Sequence, residues 1–148
     1  MITDQLCLTS WRAKPGSFVG LMTLYESNFV RLGWLAKDLR AVTGGLVSRV
    51  RADCDLHLTP IELSRYTSVF RLTYEFDHEG AILKDPDLEV RVYHDAKLAE
   101  VCGFRGFQRH PQLAELQSGL KRELDQRWAR NMMLNKWLEY CAERGHRF

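Results

Sequence analysis

Alternating apolar and polar residues recur in four segments of the chain, 50–58, 69–76, 88–93 and 98–102, with no helical pattern between them. A period of two is typical of β-strands that have one face in a core and the other toward water. Parallel neighbours need long crossover connections, which are usually helical, and the connecting segments show no helical period. The pattern therefore predicts a four-stranded antiparallel meander.

Helical periodicity precedes this region. From Phe18 to Leu39, apolar residues recur in steps of three and four, which predicts an amphipathic helix that ends before Thr43-Gly44-Gly45. Pro15-Gly16-Ser17 is a helix-start pattern in which Ser17 is the predicted N-cap.

A second helical stripe follows the predicted strands and runs from Gln112 to Cys141, with Gly145 as a natural stop. An unbroken helix from Gln112 to Glu143 would be about 48 Å long at about 1.5 Å per residue. A compact domain of this size is only about 38 Å across. We therefore expect a break near Ser118-Gly119, and a helix that projects toward a partner is the alternative.

Both helices must bury their apolar stripes, and the apolar face of the sheet must be covered. The economical solution is an α+β fold, a two-layer sandwich in which the sheet is flanked by an N-terminal and a C-terminal helix. We expect residues 1–14 to form a tail and residues 15–148 to form a single domain. Pro60 is expected to end the first strand or to demote it, and the turn-forming residues of 77–87 are expected to form a loop.

Composition narrows the class of protein further. The chain has 148 residues and a formal net charge of +2, which gives no reason to expect nucleic acid or a membrane surface as partner. Its four cysteines form no CxxC motif, its start has no secretory pattern, and no apolar run reaches the ~20 residues of a membrane helix. These features predict a cytoplasmic protein whose cysteines are free thiols packed in the fold.

The densest group of reactive side chains lies in the predicted hairpin 88–103. A histidine titrates near neutral pH, and a neighbouring carboxylate can orient its ring for ligand binding or acid–base chemistry. The alternative is that Asp95 closes the turn by accepting backbone N–H groups while His94 is solvated. The candidate binding residues are those of the hairpin and one arginine of the preceding strand: Arg71, Arg91, Tyr93, His94, Asp95 and Glu100.

The outer face of the predicted sheet offers other chemistry. Asp53, Asp55 and His57 alternate on one face, but their Cβ atoms are about 7 Å apart, so this strand by itself cannot chelate one ion. We therefore assign no metal and no cofactor. Cross-strand ion pairs are the expected role of this face, and a polar docking surface for a peptide, subunit or small ligand is the alternative. Tyr66-Thr67, with Arg65 and Arg71, could also bind an anion. The expected pairs join Arg49, Arg51, Arg71 and Arg91 to Asp53, Asp55, Glu75 and Glu89.

The segment Arg91–Val101, RVYHDAKLAEV, resembles the sequence signature of the YqiB-like family of bacterial proteins of unknown function. The resemblance covers nearly the whole chain. It implies a compact α+β protein of the cytoplasm and brings no reaction or ligand with it. The other matching segments are Leu21–Asn28, Arg65–Thr67, Asp125–Arg127, Asn131 and Asn135.

Three functional hypotheses follow. The leading one is a non-enzymatic binding or regulatory module that uses the polar sheet face to hold a protein or a small anionic ligand. The alternative is a small hydrolase or nucleotide-handling enzyme, which requires His94, Asp95 and Glu100 to converge in a pocket. The third is weak RNA binding through the basic and aromatic residues of Arg105–His110. Sheet edges and the wide helical stripe leave room for a homodimer.

Overall fold

The computed structural model describes residues 17–105 and 123–148. Within these ranges two helices flank a sheet of five strands in sequence order. The elements are α1 (Phe18–Leu35), a 3-10 turn (Leu39–Ala41), β1 (Leu46–Ser48), β2 (Asp55–Leu63), β3 (Thr67–His78), β4 (Ala81–Tyr93), β5 (Leu98–Arg105) and α2 (Glu123–Glu143).

Helix α1 begins where the sequence predicts and ends earlier. The Ser17 hydroxyl accepts a hydrogen bond from the Gly20 backbone N–H at 3.1 Å, which confirms the N-cap. The helix stops at Leu35 because Ala36 adopts an extended backbone. Leu39 is still buried, but it reaches the core from the 3-10 turn. The apolar spacing therefore continues past the end of the helix.

The sheet is an antiparallel meander, as predicted, with the order β1-β2-β3-β4-β5. The prediction of four strands is wrong, because β1 adds a fifth. This strand has only three residues, and its Leu46 and Val47 are exposed. A strand this short, with no alternation of burial, has no periodic signal in the sequence.

The predicted start of β2 is also wrong. The alternation predicts a start at Val50, but residues 51–53 form a turn and the strand begins at Asp55. Pro60 does not end it, since β2 continues to Leu63 through a bulge after Pro60. Strand β1 pairs only with residues 56–58, so Pro60 lies on a segment that β1 leaves unpaired, where a missing N–H is tolerated.

The predicted loop 77–87 is a hairpin instead. Strands β3 and β4 continue to a tight turn at Glu79-Gly80, where both residues have positive φ, 53° and 81°. Such φ values are typical of the two-residue turns that match the twist of a hairpin. The prediction of a loop is wrong because turn-forming residues lie inside β4. The Asp85-Pro86 pair falls at an irregularity of the β3–β4 pairing.

The hydrophobic core combines both helices with alternating residues of β2 to β5. The predicted inward residues of β2 and β3 are confirmed where they matter most, since Leu56, Leu58, Phe70 and Leu72 are fully buried. The helices contact each other and β5. These contacts confirm the α+β class, while the two-layer arrangement stays a prediction. Neither described helix combines the length and apolarity needed to cross a membrane.

Asparagines from both helices cover the outer edge of β5. The Asn28 amide donates to the Ala99 carbonyl at 3.3 Å, and the Asn131 side-chain oxygen accepts from the Val101 N–H at 3.0 Å. Asn131 also accepts from the Asn28 amide at 3.2 Å. These bonds supply partners to backbone groups that face away from β4, where an uncovered edge would be open to another strand.

The end of α2 is a glycine C-cap, as predicted. Gly145 has φ of 94°, its N–H donates to Ala142, and the His146 N–H donates to Cys141. This is the Schellman pattern, and it turns the last residues back toward the sheet. The predicted break near Ser118-Gly119 and the tail 1–14 lie outside the described residues.

Candidate functional site

A pocket of about 520 Å³ lies between the first half of α1 and the turn end of the β4–β5 hairpin. We call it the hairpin pocket. Its volume is in the range of small-molecule sites. Most of its wall is apolar, and the polar groups are concentrated on a few side chains. The lining residues are Phe18, Leu21, Met22, Tyr25, Tyr93, Ala96, Leu98, Glu100 and Arg127.

The carboxylate of Glu100 is the central polar group of this pocket. The Tyr93 hydroxyl donates to Glu100 Oε1 at 2.6 Å, and the Tyr25 phenol of α1 lies near enough to Glu100 to interact with its charge. The register explains the first contact, because Arg91 lies opposite Glu100 and Tyr93 is its diagonal neighbour. Tyr93 and Glu100, both candidate residues of the predicted hairpin, are therefore brought together across it.

Both phenols remain hydrogen-bond donors at neutral pH. Burial, followed by the negative charge of Glu100, raises the pKa of Tyr25 well above its usual value of about 10. Burial also raises the pKa of Tyr93, helped by its hydrogen bond to Glu100. The Glu100 carboxylate is thus held by the Tyr93 phenol and has the Tyr25 phenol beside it, at the wall of a mostly apolar pocket.

Guanidinium groups complete the electrostatics of the site. The Arg91 guanidinium interacts with Tyr93, and Arg127 of α2 lines the hairpin pocket. Sequence reasoning missed Arg127 and placed Tyr25 only in the apolar stripe of α1. Nothing local distinguishes either residue, because they join Glu100 only when both helices pack beside β5.

His94 and Asp95 do not join this group. The His94 ring is buried and hydrogen-bonds to the Ser68 hydroxyl of β3 at 2.8 Å, whereas Glu100 lies on β5, on the other side of β4. The exposed Asp95 carboxylate accepts from Arg40 at 2.7 Å. The convergence that a His94, Asp95 and Glu100 hydrolase requires is absent, and the expectation of a solvated His94 is wrong.

We expect His94 to make the protein less stable in acid. Burial and the nearby Arg40 charge lower the pKa of His94, so the unfolded chain binds the proton more readily than the folded protein. The contribution of neutral His94 to stability is therefore complete above about pH 6.5 and decreases as the pH falls. Urea unfolding at about pH 7.5 and about pH 5.5 should show a smaller loss for His94→Asn than for the wild type. Equal losses in the two proteins would contradict this assignment.

The other predicted binding residue, Arg71, is occupied by cross-strand ion pairs. Its guanidinium contacts Glu89 at 2.9 Å and Asp87 at 3.5 Å. Arg49 pairs with Asp55 at 3.3 Å. The ion-pair role expected for the outer sheet face is therefore confirmed for these arginines.

The expectation that Asp53 pairs with an arginine on the outer sheet face is wrong. Its Oδ2 atom accepts from the Tyr74 hydroxyl and from His146 Nε2, both at 2.8 Å. His146 Nδ1 contacts the Ser48 hydroxyl at 2.9 Å. Serine, histidine and aspartate thus follow the order of a catalytic triad, but the His146 side chain is fully buried and Ser48 is 4% exposed. The Ser48 oxygen also accepts from the Arg147 N–H. We assign this C-terminal cluster a structural role.

The three described cysteines differ in burial. Cys54, Cys102 and Cys141 are free, as predicted. Cys141 is packed in the core, where burial raises its pKa to about 12. Cys102 is exposed, so the prediction that it packs is wrong. It lies at the bulge where the β4–β5 register shifts, which turns it away from the alternation.

Two further predicted surfaces have different outcomes. Arg65 stacks over the Tyr66 ring at 5.2 Å, which gives its guanidinium an aromatic partner within the proposed anion site. The basic and aromatic segment suggested for RNA binding, residues 105–110, lies outside the described side chains, so that hypothesis stays a prediction.

A wider groove of about 990 Å³ lies between the loop after α1 and the C-terminal residues. Its polar groups serve the fold. His146 is held by Ser48 and Asp53, and Glu139 pairs with Arg31 at 2.7 Å. The hairpin pocket is the better candidate because its carboxylate is oriented by side chains that face the same cavity.

Comparisons with known proteins agree with the resemblance seen in the sequence. Residues 31–147 match the model of a family described as protein of unknown function, DUF1249. The chain is 32% identical to the uncharacterized protein YqiB of Escherichia coli K12 over 129 residues, which cover 86% of this chain and 90% of the relative. YqiB of the O6:H1 and O157:H7 strains gives the same values. No solved structure matches. The chain belongs to the DUF1249 family and is a relative of the YqiB proteins of Escherichia coli.

Proposed function

We propose that this protein is a cytoplasmic, non-enzymatic binding module for a small organic ligand with an apolar body and a polar head. The hairpin pocket is the binding site, and the polar head meets Glu100. The observation that carries this proposal is the Glu100 carboxylate, which accepts a hydrogen bond from Tyr93 and lies beside the Tyr25 phenol, in a pocket whose remaining wall is mostly apolar.

This proposal moves the predicted site from the whole polar sheet face to one end of it. Tyr93 and Glu100 stay in the site, and Arg91 supports it through Tyr93. Arg71 lies in the ion-paired part of the sheet and Asp95 pairs with Arg40, so neither is assigned to the ligand. A small number of placed polar groups within an apolar wall is the usual composition of a site that orients a small molecule.

The pocket should bind 2-phenylethanol, a neutral probe with an aromatic body and one hydroxyl group. Titration followed by backbone amide NMR should shift the signals of Tyr25, Tyr93, Leu98 and Glu100 with a dissociation constant in the millimolar range. The Met22→Trp variant, which places a large ring in the pocket, should weaken this binding at least about tenfold.

Thr23→Trp is the matched control, because Thr23 is the next residue of α1 and does not line the pocket. It should bind the probe as the wild type does. Shifts confined to the wider groove, or equal binding by the Met22 and Thr23 variants, would refute the hairpin pocket as the site.

A further inference from the structure

We propose that the hairpin pocket binds a neutral aromatic ligand whose polar head donates a hydrogen bond to the Glu100 carboxylate. This inference rests on the proposed function and adds the chemical class of the ligand. It follows from three features of the pocket wall: a carboxylate acceptor, a balance of acidic and basic side chains, and aromatic rings beside the acceptor.

The Glu100 carboxylate requires a donor from the ligand. An ionised carboxylate only accepts hydrogen bonds, and it has about four lone-pair positions. The Tyr93 hydroxyl uses one of them, at 2.6 Å. A ligand head that only accepts, such as an ether oxygen, would place two acceptors against each other. A head with an N–H or O–H group would instead add a charge-assisted hydrogen bond, which is about twice as strong as a neutral one.

The charges of the pocket wall favour a neutral ligand. Among the described lining residues, Glu100 is the acidic one and Arg127 the basic one, so their formal charges cancel. Arg127 already has an interaction within the protein, and we assign no group of the ligand to it. A cation or an anion would lose its hydration in a mostly apolar pocket without an excess of opposite charge to replace it.

The rings on the wall favour an aromatic body. Phe18, Tyr25 and Tyr93 line the pocket together with the Met22 thioether. Aromatic pairs gain more than the burial of the same area, through offset or edge-to-face contacts, and methionine sulfur also contacts rings favourably. Phe18 is 69% exposed, so a ligand that covers its ring would remove apolar surface from water.

Isothermal titration with indole and benzofuran tests the donor. The two ring systems have nearly the same shape, but benzofuran has an oxygen atom where indole has its N–H. We expect the wild type to bind indole at least about fivefold more tightly than benzofuran. Glu100→Leu, which removes the acceptor, should bind the two compounds equally. Glu100→Gln keeps one acceptor oxygen and should retain part of the preference for indole.

Two analogues of 2-phenylethanol test the other features of the ligand. In 2-cyclohexylethanol the hydroxyl group is kept and the ring is no longer aromatic, whereas 2-phenylethylamine has an ammonium group in place of the hydroxyl. Both should bind at least about threefold more weakly than 2-phenylethanol. An equal or higher affinity for the cyclohexyl compound would overturn the aromatic part of this ligand class, and the same result for the amine would overturn its neutrality.

Glu62→Leu is the matched control, because Glu62 is an exposed acid on β2 that does not line the pocket. This variant should keep the full preference for indole. If 2-phenylethanol binds in the hairpin pocket but the wild type does not prefer indole, or Glu100→Leu keeps the preference, the ligand class is wrong and the proposed function stands. If none of the compounds binds, the proposed function fails as well.

Discussion

Replacing His146 with alanine is expected to lower the free energy of unfolding by about 3 kcal/mol. The imidazole connects the C-terminal residues to Ser48 of β1 and to Asp53 of the turn before β2, with both contacts shorter than 3.0 Å. The Asp53 side chain is only 8% exposed, so it would lose a buried hydrogen-bond donor that water does not readily replace. Urea unfolding of the purified variant measures the loss.

His78→Ala is the control for this prediction. His78 lies at the end of β3 with its side chain 62% exposed, and its contact with Glu79 is 4.0 Å long. Its replacement should change stability by less than about 0.5 kcal/mol. If His146→Ala were as mild as His78→Ala, the C-terminal cluster would not hold the fold together.

Replacing Asn131 with leucine is expected to cost about 3 kcal/mol, because it leaves one buried and one part-buried donor without their acceptor. The Asn131 side-chain oxygen accepts from the Val101 N–H on β5 and from the Asn28 amide on α1. Leucine has the same number and branching of side-chain heavy atoms and is not smaller, so the loss would come from hydrogen bonding rather than from a cavity. The same bonds position β5, which carries Glu100, so the variant should also bind 2-phenylethanol more weakly.

Gln126→Leu provides the comparison on the same helix. Gln126 is exposed, and the same kind of substitution there should change stability by less than about 0.5 kcal/mol. Similar urea midpoints for the Asn131 and Gln126 variants would show that the asparagine network does not stabilise the helix–sheet contact.

The sequence predicts those strands whose side chains alternate between core and solvent. The inward positions Leu56, Leu58, Phe70 and Leu72 follow directly from the period of two and are fully buried. The pattern fails where burial stops alternating. Strand β1 is too short, the Glu79-Gly80 end of the β3–β4 hairpin extends into solvent, and the residues before Asp55 alternate in polarity although they form a turn.

Only part of the candidate site is local in sequence. Tyr93 and Glu100 face each other because they lie on one hairpin, and a short loop with regular pairing makes such contacts predictable. Tyr25 and Arg127 come from helices on either side of the sheet region in sequence. The same limit applies to Asp53, whose partner His146 lies near the other end of the chain.

By itself, the sequence determined the α+β class, the antiparallel order of the strands, the N-cap of α1, the C-cap of α2 and the hairpin that carries Tyr93 and Glu100. These features depend on periodicity and on neighbours within one helix or hairpin, where local geometry leaves few alternatives. The tertiary structure decided the fifth strand, the buried positions of His94 and Asp53, and the pocket that adds Tyr25 and Arg127 to Glu100. Those features depend on how α1 and α2 pack beside β5, which is set by side-chain fit between segments far apart in the chain.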